Sequence, residues 1–214
     1  MYLSPQFAGD RAQAAALMQH HPFASLISVD DTGLPSVTHL PLHLEVRPEG
    51  RAEQPSFVLL GHVAKANPHW RFLLAVAPLM GPRAYLSPQV YPDLARVPTW
   101  NYLAVHCTVQ ATLIEEPEAK DRLLKKLIGD HEPAYAEQWR GLGDGFAQRM
   151  LAGIVAFELQ VTDLQCKLKL NQHRPEAHAA MRAIYEKGNE HEQALARWMD
   201  RLGMNAGLQA RQEH

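Results

Sequence analysis

The sequence predicts a mainly β fold with α-helices added, a small antiparallel barrel carrying inserted and C-terminal helices. Three observations carry this prediction. Over 101–114 the residues alternate, with Leu103, Val105, Cys107, Val109, Ala111 and Leu113 on one side and Tyr102, Ala104, His106, Thr108, Gln110 and Thr112 on the other. Roughly six segments of strand character are punctuated by glycine, proline and aspartate, the spacing of an antiparallel sheet. Beyond Pro175 the period changes, and Leu195, Trp198, Met199 and Leu202 follow the i, i+3, i+4, i+7 stripe of an amphipathic helix.

Taken in order, Asp10 is the N-cap of an alanine-rich helix over 11–20, which Pro22 ends. A strand over Phe23–Val29, a turn over 30–33 and a return strand over 34–46 form a hairpin. In the return strand Leu40, Leu42, Leu44 and Val46 alternate with His39, Pro41, His43 and Glu45. A polar loop over 47–55 leads to a strand over 57–63 and then to GHVAKANPHW. Asn67 before Pro68 opens a short helix. Apolar strand segments over 74–80 and 83–87 flank Gly81-Pro82, and the long strand at 101–114 follows. Leu123, Leu124, Leu127 and Ile128 recur at helical spacing after Pro117, with Gly129 as the stop. A loop-rich helical stretch runs through Met150. A strand over 154–161 and a short addition over 166–170 complete the sheet. The division expected is a barrel domain over 1–174 with a helical extension over 175–214 packed on it.

Bulk composition narrows the function classes. At 214 residues, with 21% charged residues and a formal charge of −2, nothing in the total points to a polyanion partner. The two cysteines form no CxxC, the chain opens MYLSPQFAGD and not with a basic then apolar leader, and no apolar run reaches a membrane span. These features predict a cytoplasmic protein with reduced thiols. Cys107 lies on the apolar face of its strand and reads as inert core.

The twelve histidines do not make a metal site. His39 and His43 are four apart in a strand, about 13 Å at the usual rise, and neither HExxH nor His-x-His occurs. The phosphate motifs GxxxxGK[ST] and GxGxxG and the hydrolase motif GxSxG are absent as well. What the chain does carry is a stretch over 81–106 in which Pro82, Pro88, Pro92 and Pro98 stiffen a loop bearing Tyr85, Tyr91, Trp100 and Tyr102. Rigid rings with the polar groups of Ser87, Thr99 and Asn101 suit a planar, partly polar ligand; equally, they suit a crossover that covers a barrel end. GHVAKANP supplies Lys65, the Asn67 amide and backbone N–H groups at a helix start, a combination suited to phosphate or to a plain solvated surface. CKLKLNQHR places Lys167 and Lys169 on one strand face, fit for an acidic ligand or for guarding a sheet edge. No residue stands out as a committed acid or base; His106 and Tyr102 are the nearest candidates.

Together these segments resemble one family, the PaiB-type negative transcriptional regulators with an FMN-binding split barrel. The resemblance runs through MYLSPQF, HPFASLIS (21–28), THLPLHL (38–44), LLGHVAKANPHW (59–70), GPRAYLSPQVYP (81–92), VPTWNYLAVH (97–106) and MLAGIVAFELQVTDLQCKLKLNQHR (150–174). It implies a flavoprotein, a homodimer with FMN as cofactor and a flavin or small-molecule ligand. DNA enters as a partner through the family name alone. By that resemblance His39, His62, Lys65 and Asn67 meet the phosphate and ribityl chain, while Thr99, Trp100, Asn101, Tyr102 and Lys167 lie near the ring. Two departures stand out: Cys166 where the family usually has glycine, and Lys169-Leu170-Asn171-Gln172-His173 where it has Lys-x-Ser-Gln-Asn. A flavin-dependent oxidoreductase acting on a small molecule and a haem-binding split-barrel relative are the alternative functions.

Overall fold

The computed structural model describes residues 1–48, 55–93 and 95–204; most of the expected polar loop at 47–55 and the last ten residues of the extension lie outside the described residues. Within them the strands are β1 (Ala8–Gly9), β2 (Phe23–Val29), β3 (Pro35–Pro41), β4 (His43–Arg47), β5 (Ser56–Ala64), β6 (Leu74–Leu86), β7 (Thr99–Ile114) and β8 (Ile154–Lys169). The helices are α1 (Arg11–His20), α2 (Pro117–His131), α3 (Tyr135–Gly141), α4 (Asp144–Ala152), α5 (Pro175–Glu186) and α6 (Glu190–Arg201). Hydrogen-bonded neighbours follow the order β3-β2-β6-β7-β8-β5-β4, with β1 on β8. The fold is the antiparallel β architecture with inserted and C-terminal helices that the sequence predicts.

Two strands are longer than the sequence pattern indicated. The segments at 74–80 and 83–87 form one strand, because Gly81 and Pro82 are both buried within it and do not break it. A Cβ on Gly81 would approach Leu17 Cδ1 to 2.7 Å, so glycine here permits close packing. Likewise 154–161 and 166–170 belong to the single β8. The expected return strand at 34–46 instead divides at Leu42, whose N–H donates to Pro22 O, so that β3 pairs with β2 and β4 with β5. Helix α2 also runs past Gly129 to His131.

The chain divides into two compact units, which the three long strands share. The first comprises 1–17, 80–105 and 165 onward. Asp10 caps α1 as predicted, accepting from the Gln13 N–H at 2.8 Å while Gln13 Oε1 accepts from the Asp10 N–H at 2.9 Å. A capping box of Asn189 and Glu192 starts α6, which buries Leu195, Trp198 and Met199. Gly9 pairs with Cys166 across β1 and β8, and a Gly9 Cβ would meet the Cys166 sulfur at 2.7 Å. The thiol thus fills the space opposite a residue without a side chain. Burial, reinforced by the charge of Asp10, pushes the Cys166 thiol up to about 12, so it stays protonated and unreactive.

The second unit comprises 18–79 and 106–164. Leu26, Leu40, Leu42, Leu59, Phe157 and Leu159 are buried in it. A second apolar cluster joins Val58, Leu60 and Ala156 to Leu123 and Leu127 of α2. Cys107 is buried and donates to Met18 Sδ at 3.8 Å, in keeping with a core role. One buried polar knot ties the hairpin to the segment after β5. His69 Nε2 lies 2.7 Å from Ser28 Oγ, its Nδ1 lies 2.8 Å from Thr38 Oγ1, and Asn67 Nδ2 donates to the same Thr38 oxygen at 3.1 Å. All partners are satisfied if Thr38 accepts from Asn67 and donates to Nδ1, leaving the Nε2–H to donate to Ser28.

Two outcomes follow from this packing. Gly9→Ala should destabilise the protein by about 1–3 kcal/mol in urea unfolding, and by less in a Cys166→Gly background; an equal cost in both backgrounds would show that the sulfur is not the obstacle. Burial lowers the pKa of His69 below the ordinary imidazole value of 6.5. The unfolded chain therefore binds more protons than the folded one below that pH, and stability falls as pH drops through the region. His69→Asn should flatten this part of the stability–pH profile, whereas an unchanged slope would place the proton uptake elsewhere.

Candidate functional site

Two sets of polar and aromatic groups stand out, one in each unit. In the second unit, β5 carries His62 and then exits through Ala64 and Lys65. His62 pairs with Ala156 in the β5–β8 ladder. Its Nδ1 is buried without a hydrogen-bond partner, and burial lowers its pKa, so the ring is held neutral with an unused polar atom. The Lys65 side chain is exposed and forms no ion pair among the described residues. Pro68–Arg71 is a 3-10 turn of four residues where a short α-helix was expected. The expected open N–H groups are also taken: Lys65 N donates to Gly153 O, Asn67 N to Ala64 O and His69 N to Asn67 Oδ1. Any anion here is therefore met by side chains, not by a helix start.

Asn67 is committed on both ends of its amide, to His69 N–H and to Thr38 Oγ1. His39 is next to Thr38 but on the opposite face of β3, where it is exposed. Its Nδ1 lies 3.0 Å from Ser25 Oγ and its ring stacks on Phe23 at 6.5 Å. The structure thus joins Asn67 to β3 and sets His39 on the other side of that strand. Ser28, Thr38 and His69 escaped the sequence reading as a set; the signal was the spacing Asn67-Pro68-His69, in which the third residue returns to the core.

In the first unit, Thr99, Trp100, Asn101 and Tyr102 open β7, and Lys167 and Lys169 close β8. Asn101 is fully buried: its Nδ2 donates to Tyr185 Oη at 3.0 Å and contacts Met181 Sδ at 3.1 Å, while its Oδ1 has no partner. Lys167 is only 8% exposed, donates to Tyr2 O at 2.9 Å and lies 5.3 Å from the Tyr102 ring centroid. Lys169 donates to Thr99 Oγ1 at 2.7 Å and lies 5.8 Å from the same ring. Burial, with the neighbouring Lys167 charge, lowers its pKa despite the opposing pull of Tyr102. Trp100 meets Tyr85 edge-to-face at 6.2 Å, both about half exposed. Lys169 and Tyr2 are additions to the predicted set. Lys169 was legible as the i+2 neighbour of Lys167, but no local pattern marks Tyr2.

The departure at 171 also has a structural counterpart. Asn171 adopts φ +65°, a left-handed conformation that asparagine tolerates better than most residues, and its Nδ2 donates to Tyr91 Oη at 2.8 Å.

Taken separately, each set fits a part of FMN: in the second unit, a lysine with no ion pair and an imidazole nitrogen with no partner among the described residues suit a phosphate, and in the first, ring faces with fixed cations suit a planar, partly polar heterocycle. Comparison with known proteins agrees in kind. Residues 1–163 match the family described as "Putative FMN-binding domain". Over 198 residues the chain is 31% identical to the protease synthase and sporulation protein PAI 2 of Bacillus subtilis (strain 168), covering 89% of this chain and 90% of that protein. Among solved structures, the flavocytochrome Anf3 from Azotobacter vinelandii superposes with a TM-score of 0.57 at 16% identity, covering 76% of this chain and 68% of that one. The FAD and heme binding protein from Mycobacterium smegmatis gives 0.56 at 18% identity, with 78% and 74% covered. Those two likenesses establish the fold, and the family match with the PAI 2 identity establishes the lineage: this chain belongs to the PaiB-type family built on the FMN-binding domain.

Proposed function

We propose that this protein binds FMN as a cytoplasmic homodimer and acts as a PaiB-type negative regulator of transcription. The observation that carries the reading is that one strand exit bears both an exposed lysine with no ion pair and a half-buried histidine whose ring nitrogen has no partner among the described residues. Leaving a buried polar atom unpaired costs stability, which a ligand acceptor or donor would recover. Lys65 and His62 are assigned to the phosphate, with Asn67 and His69 fixing the chain that presents them. His39 lies on the face assigned to the partner subunit. Thr99, Trp100, Asn101, Tyr102 and Lys167 are assigned to the ring. FMN, when bound, supplies reversible electron-acceptor chemistry; the residues named here bind and orient it.

The homodimer is supported by an uncovered apolar face in the second unit. Ile27 pairs with Val37 on β3 and with Val76 on β6, so the three side chains share one face. Phe23 and Val29 of β2 flank Ile27 on it, and Phe23, Val29, Val37 and Val76 are exposed. An apolar face spanning three hydrogen-bonded strands is the kind of surface a second copy covers.

Lys65→Ala should weaken FMN binding at least tenfold in a fluorescence titration while leaving the melting temperature within about 2 °C. In cells the same substitution should raise the transcripts that the wild-type protein holds down. Unchanged FMN affinity, or loss of stability alone, would remove Lys65 from the site. Val37→Lys should convert the protein to monomer in sedimentation at micromolar concentration; a wild-type monomer, or a variant that remains dimeric, would refute the proposed interface.

A further inference from the structure

We propose that the Lys167–Lys169 face of the first unit recognises a small planar organic acid, whose carboxylate is held by Lys169 with Lys167 behind it. The proposal names the ligand class for the face that the functional reading assigns to a ring, and rests on that placement but not on flavin itself.

Each ammonium has three N–H groups. Lys167 spends one on Tyr2 O and Lys169 spends one on Thr99 Oγ1, both neutral acceptors. Neither lysine forms an ion pair among the described residues; the unit's arginine–carboxylate pairs there are Arg96 with Asp93 and Glu176, Arg174 with Glu176, and Arg182 with Glu186 and Asp200. Two cations thus share one aromatic ring, Tyr102, with no negative charge between them. Such a pair repels itself, and the lowered affinity of Lys169 for its proton reflects burial and that repulsion. An anion that bridges the spare donors removes both costs.

The neighbours define the rest of the ligand. Trp100 is two residues before Tyr102 on the same face of β7, and Tyr85 of the adjoining β6 meets it edge-on. Both rings are about half exposed, at 54% and 50%, so a flat body would find an apolar platform beside the cations. A nucleic-acid strand fits less well. It needs a row of exposed cations along its backbone, whereas Lys167 is almost wholly buried. A single carboxylate on a ring matches both the short reach and the flat platform.

The test uses the full-length protein freed of flavin by dialysis and titrated calorimetrically with benzoate and with its neutral isostere benzamide. Saturable benzoate binding is expected, at least tenfold tighter than benzamide, as charge-assisted hydrogen bonds would give. Lys169→Gln should weaken benzoate at least tenfold with its melting temperature kept. Trp100→Leu should weaken benzoate and leave inorganic phosphate binding as it was. No saturable benzoate binding, benzamide bound as tightly as benzoate, or Lys169→Gln binding like the wild type would overturn the proposal. FMN titrated into the same preparations reports on the flavin reading separately, because its failure leaves the benzoate result standing, and the reverse holds too.

Discussion

A sixteen-residue strand has to satisfy different surroundings along one backbone, and the rest of this structure follows from how β7 and β8 do so. In β7, Asn101, Leu103, Ala104 and Val105 are buried, so both faces of the strand are covered there, while further on Thr108 and Gln110 are exposed and Cys107 and Val109 are core. A strand covered on both faces needs partners on both. In the first unit α5 reaches the early part of β7 through Tyr185 and Met181, and in the second α2 covers β5 and β8 through Leu123 and Leu127. The inserted and terminal helices are therefore part of the solution to strand length, not decoration. The same requirement explains where glycines sit: Gly9, Gly61 and Gly81 each lie where an added Cβ would come within 2.6 to 2.7 Å of a core side chain.

Buried polar groups divide into those the fold satisfies and those it does not, and the division separates structure from site. His69 is almost wholly buried, yet both ring nitrogens have partners. His62, on the preceding strand, has a buried nitrogen with none. Desolvation lowers both pKa values, so titration behaviour alone does not tell them apart. Partner counting does. Asn101 sits between these cases: its amide nitrogen is anchored to Tyr185, and its oxygen is left over in a fully buried position. A residue read from sequence as a ligand contact thus also holds α5 against β7.

Much of this was legible in the sequence because local pattern and global fold agree. The strand over 101–114 and the Asp10 cap needed no tertiary information and both form, although Ala104, expected on the polar side, is buried and Leu113, expected on the apolar side, is exposed. The misread boundaries share one cause. Gly81-Pro82, the polar run between Val161 and Cys166, and Gly129 are punctuation by local chemistry, but neighbouring strands or helix turns carry the chain straight through them. Leu42 shows the converse, a break inside a perfect alternation, because pairing passes from β2 to β5 at that residue. The candidate site was legible as residue types and as strand faces. It was not legible as hydrogen bonds: nothing local says that Asn67 spends its amide on Thr38, or that the main chain of Tyr2 closes on Lys167 across 165 positions.

Net charge, finally, is a poor guide to what this protein attracts. A chain with formal charge −2 would not be chosen as an anion binder. Yet several of its acidic groups sit in ion pairs, Glu45 and Glu158 with Arg47, Asp121 with Lys125, and Asp200 with Arg182. Such pairs cancel at short range and leave little field beyond a Debye length of about 8 Å. Among the described residues, Lys65 at the exit of β5, and Lys167 with Lys169 at the end of β8, are cations outside these ion pairs. Because Lys167 and Lys169 are partly withdrawn from water, each is worth more to an arriving anion than a solvated surface lysine would be. The attraction is set by which charges remain uncompensated and how dry they are, and on that measure the two proposed sites are where this mildly acidic protein would draw an anion.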